Sequence, residues 1–453
     1  MMDLFSITNL IIIGICLAFP IFHLLNSLNL KKSQPYYLKR KLSLNEESIS
    51  ILVPCYNEES IIETTIQGIG QLNYTNYELI LINDGSTDRT FEKMKQLLDL
   101  ELINKDRVGS LEAMPIKGIY KSQNHAKVIV IDKMNGGKAD SLNAGISYAA
   151  NDIVITLDAD SILDEQALPI INRAFQDPNL IAAGGMVHVL QGRKYQRGVL
   201  KPSLKVKSII RLQILDYFKG FYIYKTSLSK VDALSIISGA FGAFKRDVLI
   251  SVGGYRKTVG EDIDITIKIQ NYKNKRRNLK VIFIPEAICY TEVPESWGDL
   301  IKQRTRWQKA FTDCMVLYFK EFFTTFFKNP ISFFLLADAL FTGVICSILT
   351  VSSLTYIVLL NDYSPFVIFL LTLSLFINLS YSLISLAKAI KYGNRFSFKD
   401  SGLLVLTLFL DLFFFRLMLI YFFLIGTVQY FVNKEGWNKV ARTGREYHIE
   451  QVG

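Results

Sequence analysis

Cysteine and histidine are both scarce, and each scarcity excludes a class of chemistry. The chain of 453 residues has 5 cysteines and 4 histidines. No two cysteines share a CxxC spacing, which argues against a disulfide framework or a thiolate zinc site. Cys16 and Cys346 lie in apolar runs, and all five read as small hydrophobes in a reducing compartment. The scattered histidines argue against a histidine metal centre. Internal repeats and low-complexity tracts are missing. So is a single basic stripe of the kind that tracks nucleic acid, although 51 Lys and Arg against 41 Asp and Glu leave a net charge of +10. The cations instead cluster at Lys31-Lys32, Lys39-Arg40-Lys41, Arg193–Lys207, Lys273–Arg277, Lys302–Arg306, Lys388–Lys399 and Lys434–Arg445. Several clusters flank apolar segments, which suits a protein lying against anionic cytoplasmic lipid.

What is present is apolar length. Half of the residues are hydrophobic and the mean hydropathy is +0.24. A chain this long exceeds one ordinary core, so more than one unit is expected. Leu10 to Leu25 is nearly all apolar and is followed, not preceded, by Lys31-Lys32. That order predicts an uncleaved transmembrane anchor over residues 1–30, its C-terminal side cytoplasmic, then a basic linker over 31–48. A soluble unit is expected over 49–297, an amphipathic interfacial helix over 298–328, a transmembrane region over 329–432 and a cytoplasmic basic tail over 433–453. Within the transmembrane region, Phe333–Leu360 and Phe366–Leu386 read as spans. Positive-inside logic puts Asn361–Pro365 outside and Lys388–Lys399 inside. The run 402–432 carries Asp411 and Arg416 at mid-depth; a broken, re-entrant or interfacial helix would keep the tail cytoplasmic.

The soluble unit begins with alternating signals. Ile49–Val53 reads as a strand stopped at Pro54 and opening into Cys55–Ser60. Glu78–Ile82 ends in Asn83-Asp84-Gly85-Ser86-Thr87-Asp88, a turn-rich acidic loop before a helix. Lys127–Ile131 is followed by Asn135-Gly136-Gly137-Lys138-Ala139-Asp140 and a helix. Ile153–Leu157, continuous Val/Ile character, runs into Asp158-Ala159-Asp160. Strands alternating with helices imply parallel, doubly wound βαβ units, which bind ligands at the C-terminal edge of the sheet. Asp158 and Asp160, two apart, would point the same way on an extended strand. A hard divalent cation, Mg2+ or Mn2+, relieves such repulsion and takes phosphate oxygens as further ligands, so a metal–diphosphate site is one reading. A solvated loop is the other.

Past residue 160 the pattern becomes α+β. Ile181–His188 is strand-like with a Gly-Gly break. Residues 190–230 are basic and aromatic, which fits an acceptor or membrane-interface element or a surface helix with snorkelling lysines. At Ile236–Phe244, Gly239 would let a ligand approach the backbone closely, with a hairpin core as the alternative. Gly253-Gly254-Tyr255 makes a turn, and Glu261-Asp262-Ile263-Asp264 opens a helix where carboxylates favour the dipole. Gln303, Arg306 and Trp307 are three and four apart, on one helical face. That face presents an amide, a cation for a diphosphate and a flat ring for a sugar; a membrane-interface belt is the other reading.

Ile51–Glu58, Asp84–Asp88, Gly137-Lys138 and Asp158-Ala159-Asp160, in this order and spacing, resemble the nucleotide-sugar half of a family 2 inverting glycosyltransferase. Gln303–Trp307 matches the Q-x-x-R-W signature of its processive branch, the cellulose, chitin, hyaluronan and poly-N-acetylglucosamine synthases. The resemblance implies a GT-A fold with transmembrane and interfacial helices. It implies that Pro54, Tyr56, Glu58 and Asp84 cradle the nucleotide, with Lys138 and Gly239 at the substrate. Asp158 would face the ribose or sugar and Asp160 the metal, Mg2+ or Mn2+. Asp262 would be the general base beside Glu261, while Gln303, Arg306 and Trp307 hold the diphosphate and acceptor. The implied partners are a nucleotide-sugar donor (UDP-GlcNAc or UDP-glucose), a growing polysaccharide, the bilayer and an accessory membrane subunit. One departure is Gly260, where many members have Thr before Glu-Asp. A non-processive transferase acting on a lipid carrier shares the first motifs without needing Gln303–Trp307.

Overall fold

The computed structural model describes residues 4–28, 46–70, 72–196, 199–276, 278–345 and 365–432. Most of the basic linker, the expected outer loop 361–364 and the tail 433–453 lie outside them. The chain forms two compact units. One is built on a sheet and holds residues 46–190 and Leu234–Glu292. The other is mainly helical and holds residues 4–28, Gln191–Ala233 and 293–432. The continuous 49–297 domain read from the sequence is therefore interrupted, because Gln191–Ala233 groups with the helices.

The sheet unit contains β1 (Ile49–Cys55), β2 (Tyr77–Asn83), β3 (Leu100–Ile103), β4 (Ile116–Ser122), β5 (Val128–Lys133), β6 (Ile153–Leu157), β7 (Ser161–Leu163) and β8 (Leu180–Val189). After β9 (Arg193–Gln196) and β10 (Val199–Pro202), which pair in the other unit, β11 (Phe241–Lys245) and β12 (Lys280–Thr291) complete it. The ten strands run in the order β3-β4-β5-β2-β1-β6-β11-β8-β12-β7. Strands β5, β2, β1 and β6 are parallel neighbours, and β6 is buried along its whole length. Such strands lose both faces to the core, which is why they read as unbroken Val/Ile runs. Strand order reverses at β1/β6, the crevice where open α/β sheets take ligands. The other half is mixed: β11 is antiparallel to β6 and β8, and β12 is parallel to β8.

Strand β8 runs without interruption through Gly184 and Gly185, where a break was expected. Each glycine has a different neighbour. A Cβ at Gly184 would stand 3.7 Å from Ile237, an ordinary contact. A Cβ at Gly185 would enter the ring of Phe241 and approach the Ala287 carbonyl oxygen to 2.9 Å. Phe241 is fully buried and has no room to yield.

In the helical unit, Ser208–Phe218, a π-helical stretch Lys219–Lys225 and Thr226–Lys230 form one helix. It is not a surface helix with snorkelling lysines: Arg211, Lys219 and Lys225 are all buried. Lys219 Nζ lies 2.5 Å from Asp411 Oδ2. That pairing also decides the form of the last apolar run. Ser401–Leu410, a π-helical turn Asp411–Phe415 and Arg416–Val432 are continuous, so the run is neither broken nor re-entrant. Asp411 is accepted inside the helix because Lys219 and the Ser382 hydroxyl, 3.1 Å away, satisfy one of its oxygens. Thr372–Lys391 and Phe398–Val432 are long and apolar enough to cross a membrane.

Gly185→Ala should destabilise the protein by about 1–3 kcal/mol, the usual range for overpacking. Gly184→Ala should be neutral or slightly stabilising, since it only restricts the unfolded chain. Thermal unfolding of the two purified variants in detergent checks this; equal behaviour would contradict the packing described.

Candidate active site

Every strand of the parallel quartet ends at the same edge, and each delivers one motif there. After β1, Asn57 takes a left-handed conformation (φ 56°). Its amide donates to Ser86 Oγ at 3.0 Å, and its side-chain oxygen accepts from the Thr87 amide at 2.8 Å. The Glu58 amide donates to Thr90 Oγ1 at 2.7 Å. The loops after β1 and β2 are thereby laced together, with Glu58 buried and Pro54 and Tyr56 part-exposed.

Asp84, after β2, is buried, and its carboxylate is engaged by the chain's own donors. Oδ1 accepts from Lys133 Nζ at 2.5 Å and from the Gly136 amide at 3.0 Å. Oδ2 accepts from the Gly137 amide at 2.8 Å and from Asn135 Nδ2 at 3.3 Å. Four donors match the roughly four lone-pair sites of a carboxylate. Lys133, at the end of β5, is fully buried; it also pairs with Asp140 at 2.6 Å and donates to the Met134 carbonyl at 2.7 Å. Sequence reasoning missed this lysine. The available signal was a cation closing an otherwise buried strand, next to Asp132, which accepts from Asn83 Nδ2 at 2.7 Å.

Gly137 has φ 91° and precedes the helix Lys138–Tyr148. Lys138 Nζ sits 2.5 Å from Asp158 Oδ1, 3.4 Å from Glu261 Oε1 and 3.5 Å from the Gly239 carbonyl oxygen. Burial works against its charge, but Asp158 and then Glu261 outweigh it and hold the amine above its ordinary range. Burial also pushes the Glu261 carboxyl up; Lys138 opposes this and Asp262 adds to it. Gly239 is close because β11 starts opposite Leu157, the last residue of β6. A Cβ on Gly239 would stand 2.8 Å from Lys138 Nζ. A larger residue there would push the ammonium aside.

Asp262 opens the helix Glu261–Asn274. Its Oδ1 accepts from the Ile263 amide at 2.9 Å, a helix-terminal contact, and its Oδ2 from the Gly239 amide at 3.3 Å. Asp264 is fully buried and engaged by Arg256 at 2.8 Å and Lys268 at 3.2 Å, so it is structural. Tyr255, also missed, is buried near Lys138, Glu261 and Asp262, with its hydroxyl bonded to Thr156.

Asp158 and Asp160 do not lie on an extended strand. The strand stops at Leu157, and a turn closed by the Ser161 amide on the Asp158 carbonyl (3.0 Å) separates them. Asp160 Oδ1 instead accepts from Thr291 Oγ1 at 3.1 Å. Among the described residues no three or more His, Cys, Asp or Glu side chains are grouped to hold a metal ion.

In the helical unit, the helix Trp297–Thr324 carries Gln303, Arg306 and Trp307. Gln303 Oε1 is buried with no hydrogen-bond partner among the described residues, Arg306 is half-buried and Trp307 is exposed. The unforeseen member is Arg304. Its guanidinium lies 4.1 Å from the centre of the Trp307 ring and 3.0 Å from Asp216 Oδ2.

A mixed α/β sheet with acidic motifs at the end of its parallel strands is a GT-A-type glycosyltransferase architecture. The chain belongs to the family described as Glycosyltransferase like family 2, which matches residues 46–310, more than half of it. It is 31% identical over 298 residues to the poly-beta-1,6-N-acetyl-D-glucosamine synthase of Staphylococcus aureus (strain COL), covering 64% of this chain and 61% of that protein. The Staphylococcus epidermidis enzyme of the same name is 29% identical over 294 residues, or 64% and 60%. The chain thus spans about three fifths of the length of these relatives. A mannosyltransferase from Pyrobaculum calidifontis, solved with GDP-Man and Mn2+, superposes with a TM-score of 0.52 at 18% identity, over 94% of this chain and 100% of that one. This likeness shows the shared fold.

Lys138→Met should destabilise the protein by about 1–2 kcal/mol, less than for a fully buried pair because Lys138 and Asp158 are part-exposed. The loss should depend on pH. A carboxyl with a raised folded pKa contributes stability that is present below its unfolded value and lost as pH rises through the folded value. Removing Lys138 raises Glu261 further, so the variant should lose more at pH 7.5 than at pH 5.5. Adding Glu261→Gln should abolish that difference. Unfolding at the two pH values checks it; an equal loss at both contradicts the pairing.

Proposed function

We infer that the chain is a membrane-embedded, processive, inverting β-glycosyltransferase that polymerises a nucleotide sugar. The proposed donor is UDP-GlcNAc, a choice supported by the N-acetyl-D-glucosamine polymer in the names of the staphylococcal relatives, with UDP-glucose as the other candidate. The observation that carries this reading is Asp262, held between the Gly239 amide and its own helix start, beside the Lys138–Asp158–Glu261 cluster at the edge of the parallel strands.

The nucleotide lies against Pro54, Tyr56 and Glu58, whose loop is braced by the loop after β2. Lys138 supplies positive charge for the donor phosphates, which compete with Asp158 and Glu261 for it. An acceptor hydroxyl attacks the anomeric carbon in line, and Asp262 takes its proton. The Gly239 amide orients the Asp262 carboxylate for that transfer. Glu261, 3.4 Å from Lys138 Nζ, flanks the base. Asp160, an oxygen donor flanked by the Thr291 hydroxyl, fits a hard cation that draws its other ligands from the diphosphate and water. Mg2+ or Mn2+ held there would supply charge neutralisation on the leaving diphosphate. Gln303, Arg306 and Trp307 serve the acceptor end and the leaving group, Trp307 as a stacking surface. The apolar helices embed the chain in the cell membrane, with the sheet unit on the cytoplasmic side where nucleotide sugars are made. An accessory membrane subunit is compatible with this arrangement.

Purified membranes given labelled donors should yield a polymer from one of them, and a single-sugar lipid would contradict processivity. Asp262→Asn should lower kcat by roughly 10²–10⁴, the range for general-base catalysis, with the KM for donor changed by less than about twofold. If Asp262 served only to cap its helix, the variant would lose about 1 kcal/mol of stability and turn over normally.

A further inference from the structure

Lys133 is a cation in the core of the sheet unit that the reaction above does not use. Its side chain is fully buried, yet it is no isolated charge. It is held between Asp84, which follows β2, and Asp140, in the first turn of the helix Lys138–Tyr148. Asp140 in turn accepts from the Met114 amide at 3.0 Å, which ties in the segment before β4. Asp84 binds the amides of Gly136 and Gly137. The approach is close: a Cβ on Gly136 would stand 2.5 Å from Asp140. The whole path of Gly136-Gly137 is therefore dictated by one buried ammonium and its two carboxylates. That path sets where the next residue, Lys138, leaves the backbone.

We propose that Lys133 is a positioning residue for sugar transfer, acting through the Gly136-Gly137 loop to place Lys138 among Asp158, Glu261 and the donor phosphates. This rests on the reading of Lys138 as a donor-binding group. The physical reason for a charged staple is directional. Lys133 offers three donors in a fully buried site and binds Asp84, Asp140 and the Met134 carbonyl with them. A hydrophobic side chain of equal size would fill the space but leave two carboxylates facing each other, and the loop would have to move to relieve them. Asp84 acts in the same way, from the loop side. Neither residue needs to touch the donor.

A double-mutant cycle on the full-length protein in membranes tests this. Lys133→Met should lower kcat/KM for the donor by about 10²-fold, the scale of a roughly 1 Å displacement at a reacting centre. In a Lys138→Ala background the same substitution should lower it by less than about twofold, because the group it positions is gone. Asp140→Asn loosens Lys133 without stranding a charge in the core. It should show the same dependence on Lys138 at a smaller size, and it serves if Lys133→Met does not fold. Losses that multiply in both cycles would overturn the positioning role while leaving Lys138 a donor ligand. If Lys138→Ala alone leaves both transfer and UDP binding unchanged, the donor-site reading falls, and the proposal with it.

Discussion

Asp84, Asp140, Asp158, Glu261 and Asp262 are gathered at one edge of one sheet, and carboxylates brought this close in low dielectric repel each other strongly. Two lysines five residues apart answer that repulsion at two depths. Lys133 is sealed in the core between Asp84 and Asp140. Lys138 stands at the mouth between Asp158 and Glu261. The segment joining them is the Gly136-Gly137 turn, so the inner pairing and the outer one are mechanically linked. The inner cluster is closed on the chain's own donors and can be fixed and rigid. The outer one holds a cation that an incoming diphosphate can draw on, which fits a site that must bind and release a nucleotide in every cycle.

The helical unit solves the same problem with different parts. Among its apolar helices, Lys219 pairs with Asp411, and His23 lies 2.9 Å from Asp338 and 2.8 Å from Ser227. Arg211 donates to Thr407 and to the Val206 carbonyl. Ionisable groups inside apolar helices are tolerated when they meet partners on neighbouring helices. The π-helical stretches at Lys219–Lys225 and Asp411–Phe415 fall on two of these partners. Local widening of a helix is a known accompaniment of side chains placed for a purpose.

Much of this was legible in the residue order. The four parallel strands announce themselves as Val/Ile runs, and each is followed by a polar loop, so the edge that carries the site could be named in advance. Glu261 and Asp262 begin a helix as their pattern indicates. The misreadings share one cause: sequence shows which residues are acidic but not what they face. Asp84 reads as a ligand and is saturated by the chain's own donors. Asp158 and Asp160 read as the end of an extended strand, and a turn begins there after Leu157. Lys133 passed unnoticed because a strand-end cation ordinarily faces water. The hairpin of β3 and β4 gave weak signals, since β3 is only four residues with two exposed. Long-range grouping was the least readable feature. Nothing local tells that Gln191–Ala233 leaves the sheet unit, or that Lys219 will meet a carboxylate 192 positions away.

The central claim is an in-line displacement at the anomeric carbon, with Asp262 as base and the diphosphate leaving from the opposite side. The stereochemistry of the first bond formed tests it most directly. Purified protein supplied with an α-linked nucleotide sugar and a short acceptor should give a product whose new linkage is β, read from the anomeric proton coupling by NMR. A newly formed α linkage would contradict the account, since it requires either two successive inversions or attack from the side of the leaving group.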